Sequence, residues 1–207
     1  MTSSPQPHPE PAYADRVYRS TGALVAGGLL IALLLWICGD AIVRGTGRTP
    51  WFALAAFLTA APLVVAYTLR PAVYASEDRL KIRNPFRTIE LPWAKVDALR
   101  ARFSVEALAD GSTYQLWAIP VSLRQRKSAN RRNAKRQAAG EDAVKGEPEI
   151  SRASADEHVA QLNEIHERAV ATGRPGATGE VSVRWSYETI APAVAGAILL
   201  IVLFATR

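Results

Sequence analysis

WFALAAFLTAAPLVVAYTLRPAVYASEDRLKIRNPFRTIELPW, residues 51–93, decides how this chain is built. No charge interrupts it from Trp51 to Leu69. A run of that length spans the ~30 Å hydrocarbon core of a bilayer as a helix. Pro62 would kink such a helix, which membrane spans tolerate better than soluble helices do. Beyond Arg70 the pattern changes. Leu80 and Ile82 alternate with Arg79, Lys81 and Arg83, the period of a half-buried strand. Asn84-Pro85-Phe86 reads as a turn, Thr88 to Leu91 alternates again, and Pro92-Trp93 ends that strand.

Two further apolar blocks lie on either side. Gly22 to Gly39 carries no charge before Asp40, and Thr189 to Thr206 is followed by Arg207. The first is too long for the core of a cleaved signal, lacks a convincing cleavage site, and is followed almost at once by a second span. Pro192 sits near the start of the third, where a helix accepts proline, and Trp185 and Tyr187 precede it as interface anchors. Gly45, Gly47 and Pro50 make the link between the first two spans a turn, so these form a hairpin. Small residues recur four apart, as in Ala23 and Gly27 or Ala193 and Ala197; in an alanine-rich chain, composition is the preferred account. Asp40 with Arg44 reads as a solvated helix-end pair, and Glu188 as an interfacial acid.

Cations decide orientation. Arg16 and Arg19 precede the first span, and Arg70, Arg79, Lys81, Arg83 and Arg87 follow the second, against Arg44 and Arg48 in the hairpin loop. The positive-inside bias places the N-terminus and the middle of the chain in the cytoplasm and the C-terminus outside a cell membrane. The net charge of +6 suits anionic partners without identifying one. The lone Cys38 excludes an internal disulfide, and His8, His158 and His166 lack metal-site spacing.

The expected fold class is therefore membrane α-helical with three spans, plus a small antiparallel β sheet or barrel carrying a C-terminal helix. Residues 1–20 read as a flexible tail, 21–43, 50–70 and 187–206 as spans, and 71–122 as the β domain. Five or six short strands are expected there, with Asp110-Gly111 as a hairpin turn. Residues 123–152 read as a basic segment and flexible linker, and 153–173 as an amphipathic helix. Ser154 and Glu157 offer a capping box, and Val159, Leu162, Ile165, Ala169 and Val170 share one face that can cover the sheet. His158 and His166 fall at the edge of that face. Gly173 to Gly179 reads as a loose tether.

The string Arg79-Leu80-Lys81-Ile82-Arg83-Asn84, followed by Arg87, Leu91-Pro92-Trp93 and Asp97-Ala98-Leu99-Arg100, resembles the bacterial pleckstrin-homology (PH-like) domain. The type named after low molecular weight protein antigen 6, from actinobacteria, is the most similar. The resemblance covers about residues 50–122 and implies a PH-like fold, a membrane location and no known reaction. It also implies a membrane hairpin just before the domain. The chain departs from the simplest members in its basic insertion after Pro120 and in its third span.

Two groups of cations are candidate contacts for anionic lipid head groups or for an unidentified membrane protein. Arg79, Lys81, Arg83 and Arg87 lie on the first strands, where fold analogy with lipid-binding PH domains competes with plain solvated positions near anionic lipid. Arg124, Lys127, Arg131, Arg132, Lys135 and Arg136 belong to a run of seven cations without an acid. Arg124, Lys127, Arg131 and Lys135 share a helical stripe. Contact with the inner leaflet and plain solvation rank equally there. Nucleic acid ranks well below, because no aromatic residue interrupts the run. No glycine loop, catalytic constellation or cofactor motif stands out, so neither an enzyme nor a cofactor is expected. Two functions remain open: a membrane-tethered interaction module, or an accessory subunit of a larger complex whose spans are the functional part.

Overall fold

The computed structural model describes residues 16–121, 131, 154–173 and 177–206. Three helices are long and apolar enough to cross a membrane: α1 (Thr21–Arg44), α2 (Thr49–Val64), and the last helix, Tyr187–Ala205. A π-helical turn, Val65–Leu69, extends α2. The side chain of Ser20 caps α1 by accepting from the Ala23 amide at 3.3 Å, so the helix starts where the sequence leaves the strand-forming Arg16-Val17-Tyr18. The Asp40–Arg44 pair, 3.1 Å apart, is exposed on the last turn of α1.

Among the described residues, eight strands and one further long helix accompany these spans. They are β1 (Arg16–Tyr18), β2 (Ala72–Ala75), β3 (Arg79–Arg83), β4 (Arg87–Pro92), β5 (Val96–Ala101), β6 (Val105–Ala109), β7 (Ser112–Gln115), α3 (Ser154–Thr172) and β8 (Ser182–Trp185), before α4 (Tyr187–Ala205). One antiparallel sheet runs β1-β2-β3-β4-β8 and the other β5-β6-β7. Asp110 and Gly111, at φ 50° and 70°, form the β6–β7 turn, a conformation that suits glycine and is tolerated by aspartate.

The alternation read in residues 79–83 is realised: Leu80 and Ile82 are buried, while the three cations point to the other face. With Val73, Ile89, Leu91 and Trp93 they share one core with Val105 and Ala107 of the second sheet and Leu116 just after it. The Trp93 indole donates to the Ser76 carbonyl at 2.8 Å, which satisfies its one polar atom in the core. Ala155, Val159, Leu162, Ile165 and Ala169 of α3 close this core. Val170, expected on that face, points outward at 54% exposure; Ala155, one helical turn before Val159, continues the stripe instead.

Three readings change. The tail expected over residues 1–20 ends in a strand, because Arg16–Tyr18 pairs with β2, Val17 opposite Tyr74. Ser182–Trp185, read as part of the approach to the third span, pairs with β4, Ile89 opposite Val183. Both strands are too short to declare a period of two and are held by the edges they complete. The small residues on the spans reflect more than composition. Gly27 lies against Thr68 and Leu69, and Gly196 against Leu58 and Thr59, so α2 packs closely on both neighbours. Pro62 lacks the N–H that would pair with the Leu58 carbonyl, and Gly196 lies against that same peptide.

Gly196 and Gly28 separate packing from propensity. A Cβ on Gly196 would fall 2.6 Å from the Thr59 nitrogen, whereas one on Gly28 meets open space. Gly196→Ala is expected to lower the stability of the detergent-solubilised chain by about 1–3 kcal/mol through overpacking. Gly28→Ala is expected to be neutral or to add about 0.5–1 kcal/mol. Thermal melts of both variants check this.

Candidate functional site at the membrane end of the domain

Two residues separate β1 from α1, two separate the π turn from β2, and one separates β8 from α4. The register of the sheet places Tyr18, Val73, Ile82, Ile89 and Val183 in one row. All three helices therefore leave from the same end of the five-stranded sheet. The hairpin loop and the end of α4 lie at the opposite end of the bundle, where Arg48 donates to the Thr206 carbonyl at 2.8 Å and to its hydroxyl at 2.6 Å.

Arg70 fills the junction between spans and sheet. Its amide donates to the Val65 carbonyl at 2.9 Å, the bond that defines the π turn. Its guanidinium donates to the Asn84 carbonyl at 3.2 Å, the Thr88 hydroxyl at 3.3 Å, the Ser186 hydroxyl, and the Glu188 carboxylate at 2.9 Å. Only 12% of the side chain is exposed. Lysine, with a single ammonium, could not cover four acceptors in this fork geometry. Asn84 carries the joint further: its side-chain amide donates to the Gln115 carbonyl at 2.8 Å, tying the β3–β4 turn to the second sheet. The Ser186 amide donates to the Phe86 carbonyl at 2.8 Å, which fixes the start of α4 against that same turn.

An aromatic collar surrounds this junction. Tyr67 meets Phe86 edge-on at 5.3 Å and Trp117 at 5.7 Å, and Trp185 and Tyr187 stand exposed beside them. Such amphipathic rings suit the boundary between head groups and hydrocarbon.

The cations singled out on the first strands do not act as one patch. Arg79 and Lys81 share the Glu90 carboxylate, at 3.3 and 3.0 Å. Arg83 donates to the Tyr74 hydroxyl at 3.4 Å, with its guanidinium 5.9 Å from that ring. Arg87 lies at the membrane end of β4, opposite Trp185. Arg131 is exposed and helical, whereas Arg124, Lys127, Arg132, Lys135 and Arg136 lie outside the described residues. The residues that hold the junction, Arg70, Asn84 and Ser186, were not among the candidates. The one signal for Arg70 is its place as the first charge after a span.

Burial pushes the Glu90 carboxyl up, but Lys81 and Arg79 outweigh it and hold the group below its ordinary 4.5. Burial also raises the Tyr74 phenol, and Arg19 and Arg83 outweigh that, so it titrates below its ordinary 10.0. Arg19 donates to the Tyr74 hydroxyl at 2.8 Å.

Residues 70–138 match the family model described as a bacterial PH domain. No curated protein matches the chain, and no solved structure does. The two antiparallel sheets with a closing helix fit a PH-like fold, and this PH-like domain stands beside three candidate transmembrane helices. The matched stretch begins at Arg70 and runs through the cation-rich segment that the sequence reading set apart as an insertion. The spans, β1, α3 and β8 lie outside it.

Two outcomes follow for these residues. Arg70→Met leaves the Asn84, Thr88 and Ser186 acceptors without their donor and is expected to cost about 1–3 kcal/mol. Arg70→Lys is expected to recover less than half of that, read by chemical unfolding in detergent. Glu90 has a folded pKa below its unfolded value. Its carboxylate therefore stabilises the fold above the unfolded value, and that contribution is lost as pH falls through the folded pKa. Glu90→Gln is expected to lower stability at pH 7 by about 1 kcal/mol or less and to match the native chain at strongly acid pH, in urea titrations at both.

Proposed function

We propose that this chain is a non-enzymatic integral membrane protein that presents its PH-like domain on the cytoplasmic leaflet, where the domain and its basic segment contact anionic lipid or a membrane-protein partner. The observation that carries this reading is the shared exit. Three strands of one sheet run directly into three apolar helices, so the domain has no long tether on which to leave the bilayer. The excess of cations on the domain side supports the cytoplasmic assignment.

The basic segment suits that location. The chain departs after Val121 and returns at Ser154. Pro120 and His158 line the same cleft as Ser20 and Thr21, the start of α1. Pro120 and His158, which bracket in sequence the cations Arg124, Lys127, Arg131, Arg132, Lys135 and Arg136, thus lie beside the start of α1. Each cation close to an anionic surface adds about 1 kcal/mol of attraction without a defined pocket.

A spin label at Arg131→Cys, in a Cys38→Ala chain reconstituted in nanodiscs, tests the reading. In phosphatidylglycerol discs the label is expected to be slowed and shielded from aqueous relaxation agents, and raised salt is expected to free it. Alanine at Arg124, Lys127 and Lys135 should weaken the effect in proportion to the charge removed. Identical spectra in phosphatidylglycerol and phosphatidylcholine would sink the lipid-contact reading.

A further inference from the structure

Phe103 stands in the β5–β6 turn with 90% of its surface exposed, the most of any large apolar side chain among the described residues. A single exposed apolar residue is ordinary by itself. The place of this one in the fold is not. β5 starts beside the β2–β3 turn, where the Trp93 amide donates to the Asp78 carbonyl at 3.3 Å and its indole to the Ser76 carbonyl at 2.8 Å. That is the end of the five-stranded sheet away from the spans. The Asp110-Gly111 turn lies there too, because Val96 pairs with Ala109. The β5–β6 turn is therefore at the other end of the second sheet. There the Leu116 amide donates to the Val105 carbonyl at 2.8 Å, and the Trp117 amide to the Asn84 side chain at 3.4 Å. The Trp117 ring meets Tyr67, in the π turn that ends the second span, at 5.7 Å. Phe103 lies two residues beyond Val105, away from the Asp110-Gly111 turn.

The turn is braced. The Arg102 amide donates to the Ser104 carbonyl at 3.0 Å, closing the backbone around Phe103. The Ser104 hydroxyl donates to the Glu106 carboxylate at 3.0 Å, and Arg100 pairs with the same carboxylate at 3.3 Å. A backbone already fixed has little freedom left to lose when its tip meets a partner. The three apolar helices leave the domain at this end, so the surface opposite the turn is the one they enter. Tyr67, Trp185 and Tyr187, half-exposed or more, mark its polar boundary. A phenyl ring, unlike tyrosine or tryptophan, has no polar atom to keep at that boundary and suits the acyl side of it. The five-stranded sheet is tied to the spans through β1, β2 and β8, whereas β5, β6 and β7 run into none.

We propose that Phe103 is a membrane anchor without a span: the β5–β6 turn dips its ring into the acyl region of the leaflet that the three helices enter, and so gives the second sheet a seat of its own on the bilayer. The partner is lipid hydrocarbon, not a head group. The proposal rests on the preceding reading in one respect, that this end of the domain faces the bilayer. It requires neither the basic segment nor anionic lipid. A contact at Phe103, off the axis of the spans, fixes the tilt of the domain against the membrane.

Site-directed photocrosslinking of the full chain in liposomes tests the anchor. Phe103, Tyr187 and Thr113 are replaced one at a time by p-benzoylphenylalanine, whose excited ketone bonds to a nearby C–H group. All three positions are exposed, so the core is left untouched. At Phe103 the yield of adducts to lipid acyl chains is expected to match that at Tyr187. It is expected to exceed that at Thr113, on β7, by about tenfold or more, the preference of a phenyl ring for apolar surroundings over water. The yield should be equal in phosphatidylcholine and phosphatidylglycerol and unmoved by raised salt, unlike the contact of the basic segment. An adduct at Tyr187 without one at Phe103 overturns the anchor alone. Adducts at neither overturn it together with the reading that this end faces the bilayer. A Phe103 yield confined to phosphatidylglycerol, or no higher than that at Thr113, also overturns it. In cell membranes, crosslinking of Phe103 to a protein in place of lipid would overturn the lipid assignment in favour of a docked partner.

Discussion

Arg70 holds the molecule together at the place where two solvents meet. It is the first charge after nineteen uncharged residues, from Trp51 to Leu69, and it is nearly removed from water. A cation in that position is tolerable only if its donors are matched. The match comes from three places far apart in sequence: the β3–β4 turn at Asn84, strand β4 at Thr88, and the entry to α4 at Ser186 and Glu188. The π turn at Val65–Leu69 widens the end of the second span and delivers Arg70 to that point. Pro71, buried directly after it, is the one residue between Arg70 and the start of β2 at Ala72.

Much of the architecture follows from this junction. If the second span and β2 are continuous, β3 and β4 must return to the same end of the sheet, which brings Asn84 and Phe86 against the membrane side. β1 and β8 then complete the two edges by running in the same direction, toward α1 and α4. Tyr67, Phe86, Trp185 and Tyr187 lie within a few residues of a strand–span boundary or the β3–β4 turn, and Trp117, just after β7, joins them through Tyr67 and the Asn84 side chain, which accepts from its amide. At the far end of the bundle, Arg48 covers the last carbonyl of α4, closing the hairpin loop against the third span. Between these two fixed ends Gly196 lets α4 meet the backbone of α2, and Gly27 lets α1 close on the Thr68 and Leu69 side chains.

Legibility in the sequence tracked how local each signal was. The three spans could be placed to within one or two residues, because uncharged runs of that length have few other physical meanings. Strands β3 and β4 were equally plain, since Leu80, Ile82, Ile89 and Leu91 alternate with charge. The Asp110-Gly111 turn announced the β6–β7 hairpin through backbone conformation alone. β1 and β8 were invisible. Three or four residues carry no period, and their pairing depends on edges formed by residues fifty-five or more positions away. The candidate contacts were read as a set of like charges, yet Arg79 and Lys81 are joined by Glu90 across a strand pair. That ion pair depends on register, which composition does not reveal. Arg70 and Asn84 were read only as a flanking charge and a turn residue for a related reason. Their roles lie in whom they meet, and their partners come from other elements.

The central claim is that sheet and spans form one body seated at the bilayer. Pulsed electron–electron distance measurement tests it directly, with spin labels at Thr46→Cys in the hairpin loop and Thr113→Cys on β7, in a Cys38→Ala chain held in nanodiscs. Both positions are exposed, one between α1 and α2 and the other on the second sheet. The account predicts a single narrow distance distribution that is the same in neutral and anionic lipid. A broad or multiple distribution would show a domain that swings on its spans, and would contradict it.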